Sequence, residues 1–419
     1  MKALKLGLAI AAAAMMVIGF SGIADAFHSG GVAECTGCHT MHSQPAAGSF
    51  LLKGTDQSST CLNCHQETAD TGPSSYHIST APTHLGAGLS PLERTPGGDF
   101  AWLKKDYAMT IRGTTTTERG ETHGHNIIAV DYGYVADSTN ATAPGGTFNA
   151  NNLACNSCHD PHGKYRRLSD GTIATTGAPI IGSGSYQNSV DPAAGQAVGV
   201  YRLLGGVGFA NSRTAGVTFT VNPPVAVTNA TYNRTESATQ TRTAYGKGMS
   251  EWCATCHSGM HSSTAATFVH PVSQAIGSDI SNNYNSYVGS GNMTGTSATS
   301  YLSLVPYEEG ASATIANLKA LAATSGTATI AGPSSSAQVA CISCHRAHAS
   351  GFPEMTRWNN DGEFITYTGL WPGTDSTPTV PQFARGRVAA EMAAAYYDRP
   401  ATVFATYQRS LCNKCHAKD

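Results

Sequence analysis

Charge is what this chain has least of. Only 12% of its 419 residues are Asp, Glu, Lys or Arg, 27 acidic against 25 basic, and no Lys/Arg run occurs. Nucleic acids and anionic membrane surfaces are held by clustered positive charge, so no nucleic acid partner is expected. Past the first residues, no apolar run approaches the ~18 needed to cross a bilayer. Periodic patterning is scarce as well. Long stretches of Gly, Ser, Thr, Asn and Pro, with 45 Gly in all, read as turns and loops. Nor does any cysteine stand outside one recurring motif, which argues against a disulfide framework even though the count is even.

The first residues do carry a signal. Met1-Lys2-Ala3-Leu4-Lys5 is followed by an apolar stretch from Leu6 to Phe20 and by Ala24-Asp25-Ala26. A positive start, a short apolar run and an A-x-A site make a secretory signal over residues 1–26. Residues 27–419 are then one exported domain. No lipobox-like Leu precedes Cys35, so a lipid anchor is not indicated.

The motif is C-x-x-C-H, and it accounts for all twelve cysteines: Cys35/Cys38/His39, Cys61/Cys64/His65, Cys155/Cys158/His159, Cys253/Cys256/His257, Cys341/Cys344/His345 and Cys412/Cys415/His416. It is the signature of c-type haem attachment. Two thiols on one helical turn reach the two vinyl groups, and the imidazole that follows falls beneath the iron as proximal ligand. Zinc sites also use C-x-x-C pairs, but nothing in zinc coordination demands a His after each of six pairs. The intervals are uneven, with no repeat of fixed period between motifs. Six covalently attached haems are expected, spread through the whole body.

An iron that only relays electrons is best saturated on both faces. Ten His lie outside the motifs, and six are needed for bis-His ligation; Met is the alternative sixth ligand at any one site. His42, His162, His261 and His348 follow their own motif His by three or four residues. That places them on the proximal face, unable to cap their own haem but able to cap a neighbour. His77, His125 and His270 in the linkers are further distal candidates, as is His28 at the mature N-terminus. His84 and His123 read as solvated.

The expected fold is a multihaem cytochrome c, mostly coil with short helices wrapped around a row of six haems, with little sheet. Ser312–Thr324 and Gly386–Tyr397 read as helices, and Gly216–Thr228 has strand character weakened by Pro223-Pro224. So loose a chain would struggle to offset its ordering entropy, and the haems should supply the core. Their propionates call for basic neighbours: Lys164, Arg166, Arg167, Arg346, Arg409 and Lys414.

Several stretches carry a resemblance to a known family. Phe27-His-Ser-Gly-Gly-Val-Ala-Glu-Cys35, Thr71-Gly-Pro-Ser-Ser-Tyr-His77, Cys158-His-Asp-Pro-His162-Gly-Lys-Tyr-Arg-Arg167, Gly248-Met-Ser-Glu-Trp-Cys253, Cys344-His-Arg-Ala-His348-Ala-Ser-Gly351 and Leu411-Cys-Asn-Lys-Cys-His-Ala-Lys-Asp419 resemble the OmcS family. These are hexahaem outer-surface cytochromes of metal-reducing bacteria. The likeness spans nearly the whole mature chain and is weakest over 171–243 and 273–339. It implies bis-His haems in a continuous stack, head-to-tail polymerisation of copies of the chain, and an extracellular role delivering electrons to metal oxides, electrodes or other multihaem cytochromes. It also implies that His42 ligates the haem held by Cys341, Cys344 and His345 in the adjoining subunit, and that the other distal candidates occupy family positions.

Two other functions are compatible with c-haems in series. A nitrite- or hydroxylamine-converting enzyme needs one iron with an open position, which six standard motifs and surplus His argue against. A periplasmic shuttle that never polymerises differs from a filament in particle size alone. The cysteine count itself yields a prediction: intact mass of the purified protein should exceed the mature polypeptide by six haem masses. Four or fewer, from a host competent in haem attachment, would contradict the assignment.

Overall fold

The computed structural model describes residues 28, 35–40, 51–67, 76–210, 217–229, 242–262, 269–300, 302, 304–323 and 331–416. Residues 1–26, read as a secretory signal, and His42 lie outside the described residues. Among the described residues the longest helix, Gly277–Ser286, has ten residues, and none is long and apolar enough to cross a membrane. Among the described residues strands form two- and three-stranded patches. The chain is thus mostly irregular, as its Gly and turn-residue content dictates.

Local chemistry explains where regular structure does form. Tyr107–Ile111 pairs antiparallel with Thr114–Glu118 across Arg112-Gly113, both at positive φ (51° and 81°), as a tight two-residue hairpin turn requires. Helix Gln57–His65 begins at Asp56, whose carboxylate accepts the Ser59 N–H at 2.7 Å, a regular N-cap. Of the expected helices, the first appears as Ile315–Ala323. The second shrinks to Ala389–Ala395, because Gly386 (φ 86°), Tyr397 and Asp398 adopt left-handed backbone at its flanks. Of the expected strand, Val225–Val227 pairs as a strand and Thr228 bridges to Tyr186, after the two prolines that cannot donate to a ladder.

The expectation that haems alone would form the core is corrected. Trp102, Tyr284, Tyr307, Phe352, Trp358, Ile365, Trp371, Met392 and Tyr396 form a buried cluster, in which Trp371 stacks on Tyr396 at 4.3 Å between centroids and 8° between planes. Aromatic rings bury large areas each, so this part of the chain has an apolar interior of its own. Beside it, Arg387 is fully buried. It lies over the Tyr107 ring at 4.1 Å, donates to the Gly351 carbonyl at 2.8 Å and pairs with Glu118. Burial alone would raise the Glu118 carboxyl, but the hydrogen bond from His123 and the Arg387 charge hold it below its usual range.

A second buried carboxyl lacks such help. Glu308 is 1% exposed; one oxygen accepts the Met249 N–H at 2.7 Å and the other has no hydrogen-bond partner. Among the described residues no cation pairs with it, and burial raises its pKa from 4.5 to about 7. The unfolded chain releases this proton near pH 4.5 and the folded chain near pH 7. Its contribution is therefore present below the lower value and lost as pH rises through the higher. Glu308→Gln should remove a decline in stability on the order of 3 kcal/mol between about pH 5 and about pH 8. Urea midpoints of both proteins at the two pH values check this; equal declines would refute it.

Candidate haem-binding sites

Each motif folds as a single turn closed on itself. The motif His donates its N–H to the carbonyl of the first Cys: His39 to Cys35 at 2.8 Å, His159 to Cys155 at 3.0 Å, His257 to Cys253 at 3.1 Å, His345 to Cys341 at 3.0 Å and His416 to Cys412 at 3.1 Å. Both thiols and the imidazole thereby share one side of the turn. Within the third and fifth motifs, the Ser157 and Ser343 hydroxyls reach back to accept the Ala154 and Ala340 N–H groups at 3.1 and 3.0 Å. These bonds cap the turns where Ala cannot.

Successive motifs touch. The Cys155 N–H donates to Ser58 Oγ at 3.1 Å and the Cys341 N–H to Ser250 Oγ at 3.1 Å; each serine sits three residues before the first Cys of the preceding motif. The Cys61 and Cys155 thiols lie within hydrogen-bond reach of one another, as do those of Cys253 and Cys341. Electrostatic contact links Cys38 with Cys64, Cys158 with Cys256, and Cys344 with Cys412 and Cys415. The six attachment sites therefore form a row in chain order.

Imidazoles face one another across five of these sites. Ring centroids are separated by 6.4 Å for His39 and His162, 6.0 Å for His65 and His28, 6.3 Å for His159 and His348, 6.0 Å for His257 and His125, and 6.2 Å for His416 and His270. Two metal–imidazole bonds of ~2 Å, with each ring centre ~1 Å behind its nitrogen, give roughly 6 Å. The spacing fits one iron between each pair. Hydrogen bonding also aims the correct nitrogen. Nδ1 donates to a carbonyl in His65 (Tyr76, 2.6 Å), His159 (Arg202, 2.7 Å), His257 (Pro144, 2.9 Å), His345 (Glu354, 2.6 Å), His125 (Ala347, 2.7 Å) and His270 (Pro271, 2.8 Å). This leaves Nε2 as the lone pair available to a metal. Burial lowers His65 and His125 to about 4 and His348 to about 3, so these rings stay neutral, as ligation requires.

The pairing follows a rule that the uneven motif spacing conceals. Only the first, third and fifth motifs read C-x-x-C-H-x-x-H, ending in His42, His162 and His348. His162 of the third motif faces the first site, and His348 of the fifth faces the third: each reaches two sites upstream. The even sites are faced by His28, His125 and His270, each preceding an odd motif. The chain is three haem pairs of one design, and the offset of three residues, not four, was the signal that could have revealed it. His345 alone among the described motif histidines faces no second imidazole among the described residues.

The remaining candidates are placed otherwise. His77 is 6% exposed, with Nδ1 3.9 Å from Glu93, and the His261 Nε2 is 4.0 Å from Glu251. His84 pairs with Glu67 at 3.0 Å. His123 is not solvated but fully buried, with Nε2 2.6 Å from Glu118 and Nδ1 3.1 Å from the Trp102 carbonyl. The basic residues expected near propionates also make contacts within the protein. Lys414 is fully buried, donates to the Tyr287 carbonyl at 2.7 Å and lies over Tyr284. Arg346 lies over the Tyr397 ring at 3.5 Å, Arg166 donates to the Ala178 carbonyl, Arg167 and Arg409 face Asp191 and Glu363, and Lys164 approaches the Tyr165 ring.

The family model for a doubled CXXCH motif matches residues 28–70, a span that holds the first two attachment motifs together with His28. The chain is 54% identical over 436 residues to the C-type cytochrome OmcS of Geobacter sulfurreducens, covering 100% of both. Two solved structures are similar: an outer membrane cytochrome S filament from that organism (TM-score 0.85, 53% identity) and the OmcS nanowires seen by cryo-electron microscopy (TM-score 0.86, 54% identity). Each match covers 94% of this chain and 100% of the other.

The pairing separates ligands from bystanders. His348→Ala should leave six haems attached and turn about one iron per chain high-spin or otherwise ligated, whereas His77→Ala and His261→Ala should leave every iron low-spin. Electron paramagnetic resonance of the oxidised protein reads this directly. A ligation change of the same size in His261→Ala would refute the assignment.

Proposed function

This chain belongs to the OmcS family of c-type cytochromes, electron-transfer proteins and not enzymes, and from that membership we propose that it polymerises head to tail into an extracellular filament that conducts electrons along its haems. Residues 1–26 direct export, and 27–419 form the single hexahaem domain. Covalently bound haem supplies one-electron iron chemistry at each of the six sites. The chain's own residues do the rest. Twelve thiols would fix the groups in a row, the five facing imidazole pairs would saturate their irons, and burial keeps His65, His125 and His348 neutral.

The observation that carries the filament is the fifth site. His162 and His348 each reach two sites upstream of their own motif. Applied to the first motif, the same rule sends His42 two sites upstream of the beginning of the chain. In a row continued by another copy of six, that place is the fifth site, where His345 faces no imidazole among the described residues. His42 of one subunit then caps the fifth haem of the adjoining one, and the distal set is His28, His42, His125, His162, His270 and His348. His77 and His261 are left outside it. Insoluble metal oxides, electrodes and other multihaem cytochromes are the proposed acceptors, which suits a saturated row that binds no small substrate.

His42→Ala should load six haems, alter about one iron per chain and abolish or shorten filaments in negative-stain micrographs. Long filaments of the variant with native haem content would contradict the proposal. In that case His42 serves its own chain, or none.

A further inference from the structure

Two distal ligands that serve different irons are tied together by backbone. The His125 N–H donates to the His348 carbonyl at 2.9 Å, the Ser350 N–H to the His123 carbonyl at 2.9 Å, and the His348 N–H to the Gly97 carbonyl at 2.7 Å. His125 Nδ1 adds a bond of 2.7 Å to the Ala347 carbonyl. Gly124 and Ala349 form an antiparallel bridge at the centre. The chain thus knots three segments, 95–98, 123–126 and 347–350, around the ligand facing His257 and the ligand facing His159.

Glycine makes the knot possible. A Cβ on Gly98, which holds φ at +95°, would fall 1.7 Å from the Ala349 carbonyl oxygen. One on Gly124 would fall 2.4 Å from the His348 oxygen and 2.5 Å from the Ala349 Cβ. Those neighbours are backbone and a buried methyl, Ala349 being fully buried, so they have no room to yield. Gly97 differs: its added Cβ would meet the His348 ring itself, 2.8 Å from Nδ1, and that ring is packed against Phe100 at 4.7 Å.

We propose that Gly98 and Gly124 are positioning residues that lock His125 and His348 into one unit, so that the third and fourth haems gain or lose their distal ligands together. The proposal rests on the ligand assignment above. The tie runs through backbone atoms, which a side-chain change at either His leaves in place. Displacing the backbone of one segment moves both imidazoles.

The test is electron paramagnetic resonance, with haem content by mass, on the holoprotein and its variants. His125→Ala and His348→Ala should each change one iron per chain; no change in either would overturn the ligand assignment rather than the coupling. Gly124→Ala and Gly98→Ala should each change two irons per chain while the other four keep native low-spin signals, which also shows that the rest of the chain folds. Gly97→Ala should change one, at the site of His159. Six native irons in Gly124→Ala, or a change at one only, would overturn the coupling. Should the Gly98 and Gly124 variants not accumulate, stepwise urea unfolding of the holoprotein decides it: loss of one of these two ligations at a urea concentration where the other is still native would overturn the coupling.

Discussion

An iron with two axial imidazoles needs one on each face of a flat macrocycle, and a single C-x-x-C-H turn can supply only one. The second must come from elsewhere in the chain. His39 is met by a residue from the third motif, His159 by one from the fifth, His257 by one from the loop before the third. Lengthening a loop adds only slowly to the entropy of closing it, so each long-range ligation can tie distant segments at modest extra cost. A chain with short helices and few strands can in this way hold one conformation. Where regular hydrogen-bonded layers are few, facing imidazole pairs bring remote segments together, and the Ser58 and Ser250 links join successive motifs.

Stability is divided between two kinds of interior. Around the motifs the buried clusters are small, Leu62, Phe100, Ile127 and Tyr134 beside Cys155, and Leu204, Phe219 and Trp252 beside Cys158, whereas Trp102, Trp358, Trp371 and Tyr396 belong to a larger protein core, with Arg387 and Arg346 spread over aromatic rings beside it. A planar guanidinium tolerates such burial when its donors are met and its face is stacked. That core stands against the fifth motif, since Cys344 packs on it. The attachment site that faces no imidazole among the described residues is therefore backed by well-packed chain.

Much of this was legible in the residues. The cysteines and their histidines announced the cofactor and its number, since no other chemistry asks for His after every C-x-x-C. The turn-rich composition announced the coil. What stayed hidden is long-range. Nothing local says that His162 serves His39, that Ser58 holds the third motif or that His123 is buried on Glu118, because each depends on where remote segments arrive. The aromatic cluster was hidden for the same reason: its residues are scattered from Trp102 to Phe404 without helical or strand period. One signal was present and unread, the x-x-H tail confined to alternate motifs, which encodes the three-pair repeat through spacing rather than similarity.

The account's central claim is that the row of six sites is incomplete in one chain and completed by the next. Counting high-spin ferric iron by electron paramagnetic resonance, before and after assembly of the same preparation, tests it most directly. One altered iron in six in dispersed chains, vanishing as filaments form, is the expected result. Dispersed chains with all six irons already low-spin and bis-imidazole would contradict it.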